Sequence, residues 1–292
     1  MAESKQKLEK GLKDLLKLER IEDNIFRGDS RDIGSPNVFG GQVLGQALNA
    51  AIRTVEQDKI PHSLHAYFIL PGDMTTPIIY EVDRIRDGRS FTTRRVVAMQ
   101  HAKPIFNLSA SFQKIESGMD HQSKMPEVPP PDDLPSMSDL RKSLLKVVPE
   151  KYHRFLKPKW PIEIRLLDPV NPFRPEKKEP IKFVWMRAIE RLPDDPGIHC
   201  CAMAYASDFN LLSTAMLPHG ITYNSGKVRA ASLDHAMWFH RSFRADEWLL
   251  YAINSPNASN ARGLAMGSIF TQEGKLIATV AQEGLIRLVH PK

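Results

Sequence analysis

Leu8, Leu12, Leu15 and Leu16 recur at helical spacing between charged residues, which predicts a short amphipathic helix near the N-terminus. After an extended stretch over 21–26, the run Phe39-Gly40-Gly41-Gln42-Val43-Leu44-Gly45-Gln46-Ala47-Leu48-Asn49-Ala50-Ala51-Ile52 predicts a second helix. Gly41 and Gly45 fall four apart, so one face of that helix lets a backbone come close. Each interior glycine costs roughly 1 kcal/mol of helix propensity relative to alanine, and packing, here expected against a sheet, must offset it. From 62 to 113 the period shortens to that of strands, expected over 63–70, 77–86, 90–100 and 104–113. They are separated by Pro71-Gly72-Asp73, by Asp87-Gly88, which is a hairpin signal, and by His101-Ala102-Lys103.

The segment 117–159 changes character. Pro126, Pro129, Pro130, Pro131 and Pro135 lead into a helical pattern over 140–148, and the whole reads as a linker. A strand over 162–167 opens a second half, with an apolar helix over 198–217 and strands over 228–243, 248–255, 261–271 and 275–288. This order repeats the first half. Ala102-Lys103-Pro104-Ile105 lies over Gly274-Lys275-Leu276-Ile277 without a gap, and Ser63-Leu64-His65-Ala66 echoes Ser232-Leu233-Asp234-His235-Ala236. Two helix-plus-meander units, 1–116 and 160–292, joined by 117–159, imply an α+β chain made by duplication of one unit.

Against this apolar pattern a few polar residues stand out. Asp208 is the only acid or base between Cys200 and Leu217 apart from the cysteine and tyrosine side chains, and a carboxylate buried without partners changes its pKa rather than stay unpaired. A helix N-cap, with a new turn starting at Phe209, would explain it equally well. Gln282 shares a strand face with Ala278 and Val280, so its amide points where apolar residues point, whereas the aligned position of the first half is Ala110. A glutamine bonded to backbone at a sheet edge is the alternative. Ser232 precedes Leu233-Asp234-His235, and serines commonly satisfy themselves in turns. Asp234 and His235 face opposite sides of a regular strand and are read as structural or supporting groups.

Composition narrows the classes. The chain has 292 residues, 42% hydrophobic and 25% charged, and no apolar run approaches the ~20 residues of a membrane-spanning helix. The charged stretch over 5–20 lacks the apolar core and cleavage site of a secretory signal. Cys200 and Cys201, adjacent in an apolar segment, suit buried reduced thiols and a reducing compartment. The net charge of +6 is spread among acidic neighbours, as in Arg84-Arg86-Asp87, which argues against nucleic acid and leaves a polyanionic small ligand open. No Gly-x-Ser-x-Gly elbow is present, and 220–227 fails as a phosphate loop because its spacing is wrong and Val228 follows Lys227. His62 with His65, and His235 with His240, are not placed to share a metal, so none is expected.

Six motifs stand together in the chain: Phe39-Gly40-Gly41-Gln42-Val43, Ser63-Leu64-His65-Ala66-Tyr67-Phe68, Arg86-Asp87-Gly88-Arg89-Ser90-Phe91, Tyr205-Ala206-Ser207-Asp208, Leu233-Asp234-His235-Ala236-Met237-Trp238-Phe239-His240 and Ala281-Gln282-Glu283-Gly284. By these motifs the chain resembles, from about Leu15 to Arg287, the type II acyl-coenzyme A thioesterases. The resemblance implies a double hotdog fold, with two curled antiparallel sheets each wrapped around a long helix. It also implies acyl-CoA hydrolysis by an activated water, a place in fatty-acid metabolism, no cofactor, and a homodimer or homotetramer. The family's catalytic Asp, Ser or Thr, and Gln correspond to Asp208, Ser232 and Gln282, while His62 matches a family histidine outside that triad. Coenzyme A contacts are expected at Arg89 and Ser90, and at Arg262 and Gly263 in the corresponding strand. His290-Pro291-Lys292 is not a peroxisomal address, so a bacterial cytoplasmic enzyme is expected. The rivals are a hotdog hydratase or dehydratase, which needs an Asp and a His facing one substrate carbon, and an acyl-CoA binding protein whose site has lapsed.

Overall fold

Two helices buried on all sides organise the chain. A computed structural model describes residues 11–33, 35–146 and 160–289. The small-residue run forms α2 (Gly40–Ile52), buried at every position from 41 to 51, and the second apolar run forms α4 (Pro196–Ser207). A helix without a polar face can only sit inside the molecule. Proline at the first turn of α4 and Asp195, whose side chain accepts the Gly197 N–H at 2.8 Å, start that helix in the expected way. The preceding α1 (Leu12–Leu16) packs its leucines onto α2, whose Gln46 donates to the Leu15 carbonyl at 2.7 Å; Leu8 lies outside the described residues.

The glycines of α2 meet a helix rather than the expected sheet. A Cβ on Gly41 would lie 2.3 Å from the carbonyl oxygen of Tyr205, and one on Gly45 2.9 Å from that of Cys201. The pairs 41 with 205 and 45 with 201 make the helices antiparallel, with the start of α2 against the end of α4. Cys200 and Cys201 are buried and unbridged at this contact.

Around the helices runs an antiparallel sheet. Its first-half strands are β1 (Glu19–Glu22), β2 (Ile25–Gly28), β3 (Lys59–Phe68), β4 (Ile78–Asp87), β5 (Phe91–Gln100) and β6 (Lys103–Lys114). The second half supplies β7 (Ile162–Leu166), β8 (Ile181–Ala188), β9 (Val228–Ser232), β10 (Asp234–Phe239), β11 (Leu249–Ser259), β12 (Arg262–Thr271) and β13 (Leu276–Leu288). The spatial order is β1-β2-β4-β5-β6-β3-β10-β13-β12-β11-β8-β7, with β9 also on β13. Read outward from the seam between β3 and β10, the halves match strand for strand. That seam pairs Ala66 with His235 and Leu64 with Met237, so the halves share one hydrogen-bonded sheet instead of forming two separate ones.

Several elements depart from the sequence expectation. The extended stretch over 21–26 is a hairpin, β1–β2, and strand β8 had no clear signal. In β8, Val184 and Met186 face the helices, while Trp185 lies with Trp248, Leu250 and Phe270 on the outer face, where Met125, Val128 and Leu134 cover them. Trp185 donates to the Pro129 carbonyl at 2.9 Å, so the proline-rich part of 117–159 is a strap across the sheet. A strand covered on both faces shows no alternation to read. The linker's helix is α3 (Met137–Leu145), and residues 147–159 lie outside the description. The hairpin at Asp87-Gly88 forms, with the Gly88 N–H donating to the Phe91 carbonyl at 2.9 Å, but Gly88 is not left-handed. The left-handed pairs are His101-Ala102 (φ 50° and 58°) and Asn260-Ala261 (φ 49° and 56°), which close the β5–β6 and β11–β12 hairpins as two-residue loops.

The C-terminal end of α2 is held by a buried arginine. Arg94, 1% exposed, donates to the Thr54 hydroxyl and carbonyl (both 2.9 Å), to the Thr93 and Arg86 carbonyls (3.0 and 3.1 Å) and to Asp87 (2.5 Å). Its cross-strand partner is Ala110, just as that of Ala265 is Gln282, so a small residue stands at the matching place of the second half. Arg94→Leu leaves the Thr54 and Arg86 carbonyls without this donor. Stability is expected to fall by about 3 kcal/mol, seen as a lower urea midpoint with kcat retained. An unchanged midpoint would deny Arg94 this supporting part.

Candidate active site

The expected helix over 198–217 does not run through. It stops at Ser207 because Asn210 takes a left-handed conformation (φ 68°), after which α5 (Leu211–Thr214) starts in a new direction. Asp208 is therefore the C-cap of α4, not an N-cap. A carboxylate is disfavoured at the negative end of a helix, yet this end abuts the start of α2. Asp208 Oδ2 accepts the Gly41 N–H at 2.8 Å, and α2 has no side-chain cap from its own N-cap residue, Phe39. One carboxylate thus serves as the missing cap of the neighbouring helix.

The other oxygen meets the second candidate. Gln282 Nε2 donates to Asp208 Oδ1 at 2.7 Å, joining residues far apart in sequence. Gln282 is 1% exposed, on the inner face of β13 with Ala278 and Val280, as its strand phase requires. Its Oε1 is buried and has no hydrogen-bond partner among the described residues. The hydroxyl of Tyr205, next to Asp208, is in the same condition. Burial raises the Asp208 carboxyl above its ordinary range, and the bonds from Gln282 and Gly41 pull partly the other way. Phe39, Phe209 and Trp160 wall one side, with ring centroids 4.5 Å apart for Phe39 and Phe209 and 5.1 Å for Trp160 and Phe209.

Ser232 is close in the sheet but not bonded to this pair. It ends β9 opposite Gly284, two residues from Gln282 on the same face, and no hydrogen bond among the described residues joins it to Asp208 or Gln282. The expected strand over 228–243 is broken just after it. Ser232 pairs with Gly284 while Ala236 pairs with Ala281, so one extra residue is taken up at Leu233 and Asp234. Such a bulge re-aims the side chains that follow. It brings His235 onto the inner face beside Gln282, with 3.1 Å between His235 Nδ1 and Gln282 Nε2. His235 is fully buried, its Nε2 lies 2.9 Å from the Ser207 hydroxyl, and burial draws its pKa down to about 3.

The remaining expected residues lie elsewhere. Arg89 and Ser90 follow β4 near the C-terminal end of α2, where Lys114 N–H donates to the Ser90 carbonyl at 3.2 Å. Gly41 is at the opposite end, roughly 18 Å away at 1.5 Å per residue. Arg262 donates to Glu283 at 2.9 Å in a half-exposed ion pair. Gly263 permits close packing, since a Cβ there would lie 2.7 Å from Ala215 Cβ and from Ile286 Cδ1. His62 bonds the Ser111 hydroxyl at 2.8 Å and touches neither Asp208 nor Gln282. Among the described residues no three His, Cys, Asp or Glu side chains gather as a metal site, and no helix is long and apolar enough to cross a membrane.

Known proteins resemble this chain in sequence and in fold. Residues 152–285 match a family model described as acyl-CoA thioesterase, and residues 27–113 match one described as acyl-CoA thioesterase N-terminal domain. The chain is 44% identical over 273 residues to acyl-CoA thioesterase 2 of Haemophilus influenzae, covering 94% of this chain and 96% of that protein. It is 43% identical over 283 residues to acyl-coenzyme A thioesterase 8 of Homo sapiens, covering 94% and 88%. The solved acyl-CoA thioesterase II TesB2 from Mycobacterium marinum superposes with a TM-score of 0.77 at 43% identity, over 96% of this chain and 99% of that one. A hot dog fold protein of unknown function from Alicyclobacillus acidocaldarius reaches 0.74 at 21% identity over 96% and 98%, a likeness of fold alone.

Proposed function

The chain belongs to the type II acyl-CoA thioesterase family and is an acyl-CoA hydrolase, and we propose that its reaction runs through one water held between Asp208 and Gln282. The observation that carries this is the 2.7 Å bond from Gln282 to Asp208, which leaves the amide oxygen buried without a partner among the described residues. A water that donates one hydrogen to that oxygen and the other to the carboxylate has its lone pair free for the thioester carbonyl. Asp208 takes the proton as the carbon–oxygen bond forms. The tetrahedral intermediate then expels coenzyme A as thiolate, a leaving group with a pKa near 8.5 that needs no strong general acid. Ser232, on the same sheet face, is assigned the third hydrogen bond to the water. The products are the free acid and coenzyme A.

The same proposal includes two hotdog units, 1–116 and 160–292, each curling its half of the sheet around its own helix. The matched strand order on either side of the β3–β10 seam supports it. Contacts of coenzyme A with Arg89, Ser90, Arg262 and Gly263, assembly as a homodimer or homotetramer, and a cytoplasmic location belong to it as well. A hydratase would need His235 to face the substrate together with Asp208, but both ring nitrogens of His235 are engaged, by Gln282 and by Ser207.

The pH profile tests the assigned base. Asp208 works only when ionised, and its carboxyl is held above the usual carboxylate range. kcat/KM is therefore expected to fall as pH drops through that raised value, with the acid limb above the ordinary carboxylate range. Gln282→Ala removes a bond that favours the ionised form, so its limb should move to higher pH in a thiol-release assay. A limb that stays in place would mean that some other group sets it.

A further inference from the structure

We propose that His235 is a positioning residue which, together with Ser207, locks the Gln282 amide so that its Oε1 faces the attacking water. The inference rests on the water-based mechanism given above and deepens it. Ser207 Oγ donates its hydrogen to the Ala204 carbonyl at 2.9 Å, one turn back in α4. It can therefore only accept from His235 Nε2, 2.9 Å away, so Nε2 carries the ring proton and Nδ1 is bare. A bare Nδ1 requires a donor, which identifies the Gln282 atom at 3.1 Å as the NH₂ group. The other hydrogen of that group goes to Asp208 Oδ1 at 2.7 Å. Both amide hydrogens are then committed and Oε1 remains, which is the buried oxygen without a partner among the described residues. Turning the amide over would set Oε1 against a carboxylate and a bare ring nitrogen at once. The orientation is thus dictated by a chain that starts at the Ala204 carbonyl, several groups away from the water.

Two further facts fit a purpose beyond packing. The fold does not require a polar pair here: in the first half Leu64 faces Ala110 across β3 and β6, at the place where His235 sits beside Gln282. A bulge, which β3 also has between Pro61 and Ser63, aims His235 inward. Burial keeps the ring neutral, with its pKa drawn down to about 3, so the Nδ1 acceptor persists throughout the neutral range.

The experiment is a set of variants read by kcat and KM on one acyl-CoA substrate: His235→Leu, His235→Asn, Ser207→Ala, Gln282→Ala and the double variant His235→Leu with Gln282→Ala. His235→Leu should lower kcat roughly 10- to 100-fold with KM little changed, because a misaimed water costs rate rather than binding. In His235→Asn the side-chain oxygen replaces Nδ1 as acceptor, and kcat should recover to within about threefold of wild type. In the double variant, loss of His235 should cost nothing beyond Gln282→Ala, since no amide is left to orient. Equal losses in His235→Leu and His235→Asn, or full additivity with Gln282→Ala, would overturn the proposal in favour of a structural part. If His235→Leu does not fold, His235→Asn and Ser207→Ala decide: wild-type kcat in Ser207→Ala, or a large loss in His235→Asn, overturns it. A Gln282→Ala enzyme with wild-type kcat would instead remove the water mechanism itself.

Discussion

Replacing Asp208 by asparagine should lower the rate of thiol release from acyl-CoA by ~100-fold or more while the protein stays folded, because a positioned general base contributes about that much. The side chain keeps its size but loses the ability to take a proton. It also loses one of two acceptors. Asp208 receives Gly41 N–H on one oxygen and Gln282 on the other, so an asparagine must turn its NH₂ toward one of these donors. That mismatch costs about 1–3 kcal/mol in a buried site, but it is offset in part because the desolvated charge that raises the Asp208 pKa is gone. A cooperative thermal transition close to wild type, together with the lost rate, is the expected outcome. Full activity in the variant would remove the carboxylate from the chemistry.

The meander in each half was legible because its strands have one covered face and one open face, and alternation reports that asymmetry directly. Strand β8 was hidden by the same logic, since the strap over 117–146 covers its outer side and the alternation disappears. The repeat could have found it. If each half places two strands before its long helix, then 160–195 must supply the counterparts of β1 and β2, and β7 with β8 are those strands. The helix boundary at 207 could not be read from periodicity, because the residues after Asp208 stay apolar for a different reason: α5 packs on β12 and the glycines opposite it, as the contacts of Gly263 with Ala215 and of Gly284 with Leu212 show.

For the site, strand phase alone put Gln282 on a buried face, and the isolation of Asp208 among apolar residues required a partner for it. That the two meet depends on the β13 register and on the end of α4, which no local pattern reports. Asp234 and His235 do face opposite sides of β10, as expected of strand neighbours; what no local pattern reports is the extra residue at Leu233 and Asp234, which puts His235 on the inner face together with Ser232. Gly41 was legible as a close approach but not as a hydrogen-bond donor. A backbone N–H leaves no signature in the sequence, though an α2 start with no Ser, Thr, Asp or Asn at Phe39 hints that a cap must come from elsewhere.

Gly41→Ala joins fold and chemistry in one test. On an isolated helix the change is favourable, by roughly 1 kcal/mol. Here the new methyl group would sit 2.3 Å from the Tyr205 carbonyl oxygen and 2.6 Å from the Phe39 ring, and the nearer atom belongs to a backbone that cannot swing aside. The helices have to separate, and overpacking of this kind costs about 1–3 kcal/mol, enough to cancel or exceed the gain in propensity. Separation also lengthens the 2.8 Å bond from Gly41 to Asp208, which removes a contact that favours the ionised carboxylate. The variant should therefore melt at lower temperature, lose ~10-fold or more in kcat/KM at neutral pH, and show its acid limb at higher pH than wild type. Gly118→Ala is the matched control, since nothing lies within 4 Å of a Cβ there, and it should leave both properties unchanged. Should Gly41→Ala prove as stable and as active as Gly118→Ala, the close approach of the two helices would have no part in holding the base.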